Sequence, residues 1–171
     1  LNLKYKERWF AMYLLVSDIH GHLEPFQQVV NEWKPDEETL VFLGDAIDRG
    51  KNSLDVIQLL MKLASEHPEK TIMLRGNHDN EWLKWLARPE LADIYYWEYF
   101  DETVKSFIKP LITKGIPMPT CHKNEAYLIN QHYRKEIEFM KTWAYYAETT
   151  NCIFVHAGYN LMLEDWRKSS L

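Results

Sequence analysis

The seven residues Gly44-Asp45-Ala46-Ile47-Asp48-Arg49-Gly50 place two carboxylates three positions apart, beside a guanidinium and between two glycines. A carboxylate at a strand end can hold a metal ion, and an arginine next to it can grip phosphate in a bidentate fork. The glycines permit a sharp turn and close backbone approach. Alone, the string also reads as a tight turn with a surface ion pair. It is accompanied by Asp18-Ile19-His20-Gly21, Arg75-Gly76-Asn77-His78-Asp79 and His156-Ala157-Gly158.

In an Asp-x-His string running on from a strand, alternate side chains share a face, so Asp18 and His20 form a pair of metal ligands. Asp45 adds a carboxylate able to bridge two cations, Asn77 an amide oxygen and His156 an imidazole. Carboxylate, imidazole and amide without thiolate suit Mn²⁺, Fe or Zn²⁺ in a reactive centre rather than a structural zinc. Two such ions about 3.5–4 Å apart can hold a hydroxide and clamp phosphoryl oxygens for in-line displacement. Arg49 then neutralises the remaining oxygens. His78 can protonate the leaving oxygen, with Asp48 holding its ring in the useful tautomer. Each piece also has a local reading: Asp18 as a helix cap, Asp45 as a turn residue, His156 as a satisfied core histidine. Four such groups at successive strand tips favour the shared site.

The elements that must position them follow from the apolar pattern. Tyr13–Val16 reads as a first strand, Leu40–Leu43 as a second and Thr71–Leu74 as a third. Each is a continuous apolar run with a polar tip, as in strands covered on both faces. Between them Leu23, Phe26, Val29, Val30 and Trp33 recur at helical spacing until Pro35. Leu54, Ile57, Leu60, Met61 and Ala64 do the same up to His67-Pro68. A helix is expected through Trp82–Leu86. Strand alternating with helix indicates an α/β fold whose ligand site lies beyond the carboxyl ends of the strands. Asp18, His20, Asp45, Asp48, Arg49, Asn77, His78 and Asp79 are thereby expected to converge.

The middle of the chain is less regular. Tyr95, Tyr96, Trp97, Tyr99 and Phe100 form an aromatic block, read as core packing under a cap ahead of an aromatic wall beside a substrate. A short helix is expected over Glu102–Ile108, a loop over Lys114–Asn124 and a helix through Ile137–Ala144. Cys152–Val155 reads as a fourth strand, with His156 at its tip and Cys152 as a buried, inert thiol. His122 and His132 are read as surface residues.

The 171 residues suit one domain with a substantial core. A net charge of −5 argues against general nucleic-acid affinity. It leaves room for a small phosphorylated ligand, because bound cations override the global sign locally. Two cysteines, Cys121 and Cys152, form neither a disulfide framework nor a Cys-x-x-Cys metal pattern, which fits a reducing, cytoplasmic location. The run from Trp9 to Val16 is too short to span a membrane and lacks a signal-peptide cleavage site. Met12 reads as a natural start, with residues 1–11 as an extension or tag and 12–171 as the domain.

Asp18-x-His20-Gly21, Gly44-Asp45-x-x-Asp48-Arg49-Gly50, Gly76-Asn77-His78-Asp79 and Val155-His156-Ala157-Gly158 together resemble the calcineurin-like metallophosphoesterases. The Asp-Arg-Gly ending is similar to the branch holding bacterial PPP-type serine/threonine phosphatases and diadenosine tetraphosphate hydrolases. Thr103-Val104-Lys105-Ser106-Phe107 and the stretch from Phe139 to His156 resemble the bacterial PPP type more loosely. The resemblance implies two β-sheets sandwiched between helices, with the site above the sheet edges. It implies two divalent cations, Mn²⁺ foremost. Asp18, His20 and Asp45 hold one, and Asp45, Asn77 and His156 the other. His78 is the general acid paired with Asp48, and Arg49 and Asn77 contact substrate phosphate. The implied substrate is a phosphoprotein or small phosphoester, alternatively a dinucleoside polyphosphate; a degenerate member that binds phosphate or a partner without turnover is the third reading.

Three departures accompany it. A final family histidine in a Gly-His-Thr-like motif has no counterpart before Leu171, which implies either an incomplete C-terminal part or a weakened second metal site. Tyr159-Asn160-Leu161 lacks the proline usual after His-Ala-Gly. Asp79 stands where most protein phosphatases carry glutamate and is similar to the dinucleotide hydrolases. Arg167, after Trp166, is the candidate for the family's second phosphate-binding arginine. The oligomeric state is not legible.

Overall fold

A computed structural model describes residues 2–4, 12–158, 162–165 and 167. The chain alternates β2 (Met12–Val16), α1 (Leu23–Glu32), β3 (Glu38–Phe42), α2 (Ser53–Glu66), β4 (Thr71–Met73) and α3 (Asn77–Leu86). These strands form a parallel sheet in the order β2-β3-β4, with Leu14 opposite Leu40 and Phe42 opposite Met73. The apolar runs of β3 and β4 are continuous because both faces of the sheet are covered there, whereas Met12 and Leu15 of the edge strand β2 stay exposed. Leu40, Phe42 and Met73 enter the larger core with Phe26, Ile57, Leu60 and Trp82 from the helices. The alternate residues Val41, Ile72 and Leu74 enter a second core with Ala147 and Phe154.

That second core lies against the other sheet, ordered β1 (Asn2–Lys4), β5 (Tyr146–Glu148), β6 (Ile153–Val155), with β1 parallel and β6 antiparallel to β5. A parallel bridge between Leu74 and Ala144 ties the two sheets. The expected pair of sheets flanked by helices is therefore the observed architecture. Asn2–Lys4, within the segment read as an extension or tag, supplies β1.

Helices α4 (Asp101–Thr113), α5 (His122–His132) and α6 (Arg134–Thr142) complete the helical side. Four expectations are corrected here. The loop expected over Lys114–Asn124 ends early: α5 begins at His122, and its weak amphipathic pattern buries only Ala126 and Ile129. The helix expected through Ile137–Ala144 stops at Thr142, because Trp143 turns to extended backbone and Ala144 joins the bridge to Leu74. Arg75 holds that end of α6, donating to the carbonyls of Met140 at 3.2 Å and Lys141 at 2.9 Å. Cys152 is half-buried just before β6, so it is not the buried thiol expected. His132 is exposed as expected, whereas His122 is half-buried and stacks on Tyr96 with ring centroids 3.5 Å apart.

Candidate metal and phosphate site

The four polar clusters lie just past the carboxyl ends of β2, β3, β4 and β6. Their loops are laced together backbone to backbone. Asp18 N–H donates to Gly44 C=O at 3.0 Å, His20 N–H to Asp45 C=O at 2.9 Å and Gly21 N–H to Ala46 C=O at 2.8 Å. Gly76 can come this close because it has no side chain: a Cβ there would overlap the Asp45 carboxylate. Asp18, His20, Asp45, Asp48 and Arg49 adopt φ values of 54°, 45°, 60°, 74° and 66°, and among the described residues no other non-glycine has positive φ. Left-handed backbone at non-glycine residues is costly and persists where the surroundings enforce it, characteristically at ligand sites.

The imidazoles are aimed by their Nδ1 atoms. His20 donates Nδ1–H to Ile47 C=O at 2.7 Å, and His156 donates Nδ1–H to Leu43 C=O at 2.9 Å. A carbonyl only accepts, so each neutral ring presents the lone pair of Nε2 to the site. His20 Nε2 is buried without a hydrogen-bond partner, 3.6 Å from Asp18 Oδ1 and 3.7 Å from Asp45 Oδ2. His156 Nε2 lies 3.1 Å from Asn77 Oδ1 and 3.4 Å from Asp45 Oδ2. Acceptors thus face acceptors around Asp45 Oδ2, an arrangement that calls for positive charge between them. The hydrogen bond to Asp45 holds the His156 imidazole above its ordinary pKa, against the opposing effect of burial. Burial pushes the Asp45 carboxyl up, but His156 and His78 outweigh it and leave it below the ordinary carboxylate range. Carboxylate, imidazole and amide oxygen are the donors of a divalent-cation site, so the residues present fit such ions.

Two triads converge tightly enough for a common ion: His20, Asp45 and His78, and Asp18, Asp45 and His156. They share Asp45, as a bridging carboxylate requires. They divide the other side chains differently from the sets implied by the resemblance: Asp18 groups with His156, and His78 with His20. His78 is tied elsewhere as well. Its Nδ1 meets Asp48 Oδ2 at 2.7 Å while its Nε2 stands 4.0 Å from Asp45 Oδ2. Asp48 is fully buried, and that burial raises its carboxyl pKa despite hydrogen bonds from Thr103 and His78.

Arg49 is exposed beside Asp48, without an ion pair to any described carboxylate, and lines a cavity of about 340 Å³ with His22, Pro25 and Lys51. Arg167, the candidate second phosphate ligand, pairs its guanidinium with Glu148 at 2.8 and 2.9 Å. Tyr159-Asn160-Leu161 and Trp166 lie outside the described residues.

The aromatic block divides between both readings. Phe100 is buried core, whereas Trp97 stacks on His78 with centroids 4.8 Å apart. With Trp85, Tyr95, Lys84 and Arg88, these rings line a cavity of about 520 Å³.

The chain matches the model of the calcineurin-like phosphoesterases over residues 12–169. It belongs to that family. Among its relatives is the serine/threonine-protein phosphatase PP2A-like PPG1 of Candida albicans, 36% identical over 67 residues, covering 39% of this chain and 16% of the relative. Similar solved structures include a candidate diadenosine tetraphosphatase at 21% identity and TM-score 0.55, covering 92% of this chain and 55% of that one. A PP5-like serine/threonine phosphatase from Saccharomyces cerevisiae aligns at 16% identity and TM-score 0.52, over 87% of this chain and 39% of its own. At these identities the solved structures establish the shared fold. The chain spans about half the length, or less, of these phosphoesterases. Within the family's strand-tip motifs the sequence reading found the ligand candidates, but it gave no role to Asp79, Thr103 or Trp97. Thr103 lies in the Thr103–Phe107 segment that resembles the bacterial PPP type only loosely, and Trp97 in the aromatic block, so neither was assigned a part in the site.

Proposed function

We propose that this chain carries the hydrolytic centre of a metal-dependent phosphoester hydrolase of the serine/threonine protein phosphatase type, acting on a phosphoprotein or small phosphoester. The observation that carries it is the ring of lone pairs around Asp45 Oδ2, from His20, His156 and Asn77. In this reading Asp18, His20, Asp45, Asn77 and His156 hold two divalent cations, Mn²⁺ foremost. When bound, such ions supply Lewis-acid charge and a nucleophilic water at neutral pH.

The chain's own residues do the rest. Arg49 offers an unpaired planar fork to the phosphoryl oxygens, assisted by the Asn77 amide. Asp48 accepts from His78 Nδ1, stabilises the imidazolium and turns Nε2–H toward the departing oxygen. The Trp97 ring over His78 limits water on that side. Two free thiols accord with a cytoplasmic setting, and the match over 12–169 accords with one domain, to whose second sheet Asn2–Lys4 adds β1. Among the described residues no helix is long and apolar enough to cross a membrane.

The test is Mn²⁺-dependent release of phosphate from p-nitrophenyl phosphate and a phosphoserine peptide, with His78→Asn as control. Phosphoserine-peptide turnover lost in the variant supports the reading, because the serine oxygen leaves only with a proton. No turnover by folded, cation-loaded protein overturns it in favour of a binding role. A dinucleoside polyphosphatase is the second reading, favoured by Asp79 and by the structural likeness to a candidate diadenosine tetraphosphatase. Nucleoside diphosphates released from diadenosine tetraphosphate, with phosphopeptide untouched, would select it.

A further inference from the structure

Thr103 stands 55 residues from Asp48 in the chain, in the first turn of α4, and is fully buried. Its hydroxyl meets Asp48 twice. Thr103 Oγ1–H donates to Asp48 Oδ1 at 2.7 Å, and the Asp48 N–H donates back to Thr103 Oγ1 at 2.9 Å. A threonine hydroxyl carries one hydrogen, so the 3.1 Å contact with Ser53 must have Ser53 as donor. Thr103 Oγ1 therefore uses its proton on the carboxylate and both lone pairs on N–H and O–H donors. The Asp48 carboxylate is held from both sides, by Thr103 on Oδ1 and by His78 on Oδ2 at 2.7 Å. This grip also fixes a backbone that sits at φ 74°.

We infer that Thr103 is a positioning residue for proton delivery: it orients Asp48, which orients His78. The inference rests on the reading of His78 as general acid. Carboxylates hydrogen-bonded through one oxygen alone can rotate about χ2. The second bond, from a group on a different helix, removes that freedom and keeps the His78 ring aimed. Thr103 touches neither substrate nor reacting atoms in this scheme. Its loss should matter only where the leaving group needs a proton.

Phenyl phosphate and p-nitrophenyl phosphate are nearly the same shape, but p-nitrophenolate leaves without protonation and phenolate does not. In Thr103→Val, kcat on phenyl phosphate is expected to fall about 10- to 100-fold with KM little changed, while kcat on p-nitrophenyl phosphate stays within about 3-fold. Thr103→Ser keeps the hydroxyl and should restore most of the loss. Thr103→Ala serves if the valine variant does not fold. Equal losses on the two substrates, in either variant, overturn the inference and leave the hydrolase reading intact. If the parent turns over neither substrate, the hydrolase reading fails instead. The positioning is then read by proton NMR of the cation-free protein, from the low-field His78 Nδ1–H resonance assigned through His78→Asn. That resonance should move in Thr103→Val, and an unmoved one overturns the inference.

Discussion

Asp79 holds the backbone that carries Asp45. Its carboxylate is completely buried and accepts from three main-chain donors: Asp45 N–H at 2.8 Å, Ala46 N–H at 3.0 Å and Gly76 N–H at 2.9 Å. One side chain on α3 thereby fixes the left-handed turn at Asp45 and seats it against Gly76.

Asp79→Asn should therefore cost more than its near-identical shape suggests. An amide has one acceptor oxygen, so its NH₂ would confront N–H donors with no water to take them. The expected destabilisation is about 2–4 kcal/mol, measured by urea unfolding without added cation. Cation affinity should fall with it, because Asp45 loses its fixed orientation. A neutral result would mean the three donors have other partners.

The same burial sets a pH dependence. Being out of water, with the charge of Asp45 adding to the effect, raises the Asp79 pKa from 3.8 to about 6, although the backbone donors oppose this. Between these values the native state binds the proton more tightly than the unfolded chain, so stability falls as pH rises. Cation-free protein should lose about 2 kcal/mol from this group between pH 4 and pH 6. Divalent cations neutralise Asp45 and should flatten that decline. Unfolding midpoints across this range, with chelator and with Mn²⁺, test it, and identical slopes would refute it.

His20 and His156 contribute the two best-aimed imidazole lone pairs. His20→Ala and His156→Ala should each weaken Mn²⁺ binding by more than about 10-fold in titration calorimetry, with secondary structure retained. Binding that survives both changes would place the ions elsewhere.

Arg49 is exposed and unpaired among the described side chains, so Arg49→Ala should shift stability by no more than about 0.5 kcal/mol. Its expected effect is on phosphate, with KM or the inorganic phosphate inhibition constant raised about 10- to 100-fold. Unchanged inhibition by phosphate would remove Arg49 from the site.

The sequence by itself determined the strands and their polar tips. Runs such as Leu40–Leu43 are long enough and apolar enough to need cover on both faces, and Gly44, Asp45, Asn77 and His156 follow them at fixed offsets. It could not show β5, which is three residues long and stands as a strand only through pairing with β1 and β6. Nor could it show α5, whose apolar pattern is too weak to mark a helix without its neighbours.

The site divides the same way. Residue type and spacing identified Asp18, His20, Asp45, Asp48, Asn77, His78 and His156 as chemistry-bearing. Which nitrogen each histidine presents was decided only when Ile47 and Leu43 brought carbonyls to the Nδ1 atoms. The grip of Thr103 on Asp48 and of Asp79 on the Asp45 turn was likewise decided in three dimensions. Local patterning records which groups can react. Their aim depends on hydrogen bonds between residues about 30 to 110 positions apart, and only packing the two sheets and α4 together creates those bonds.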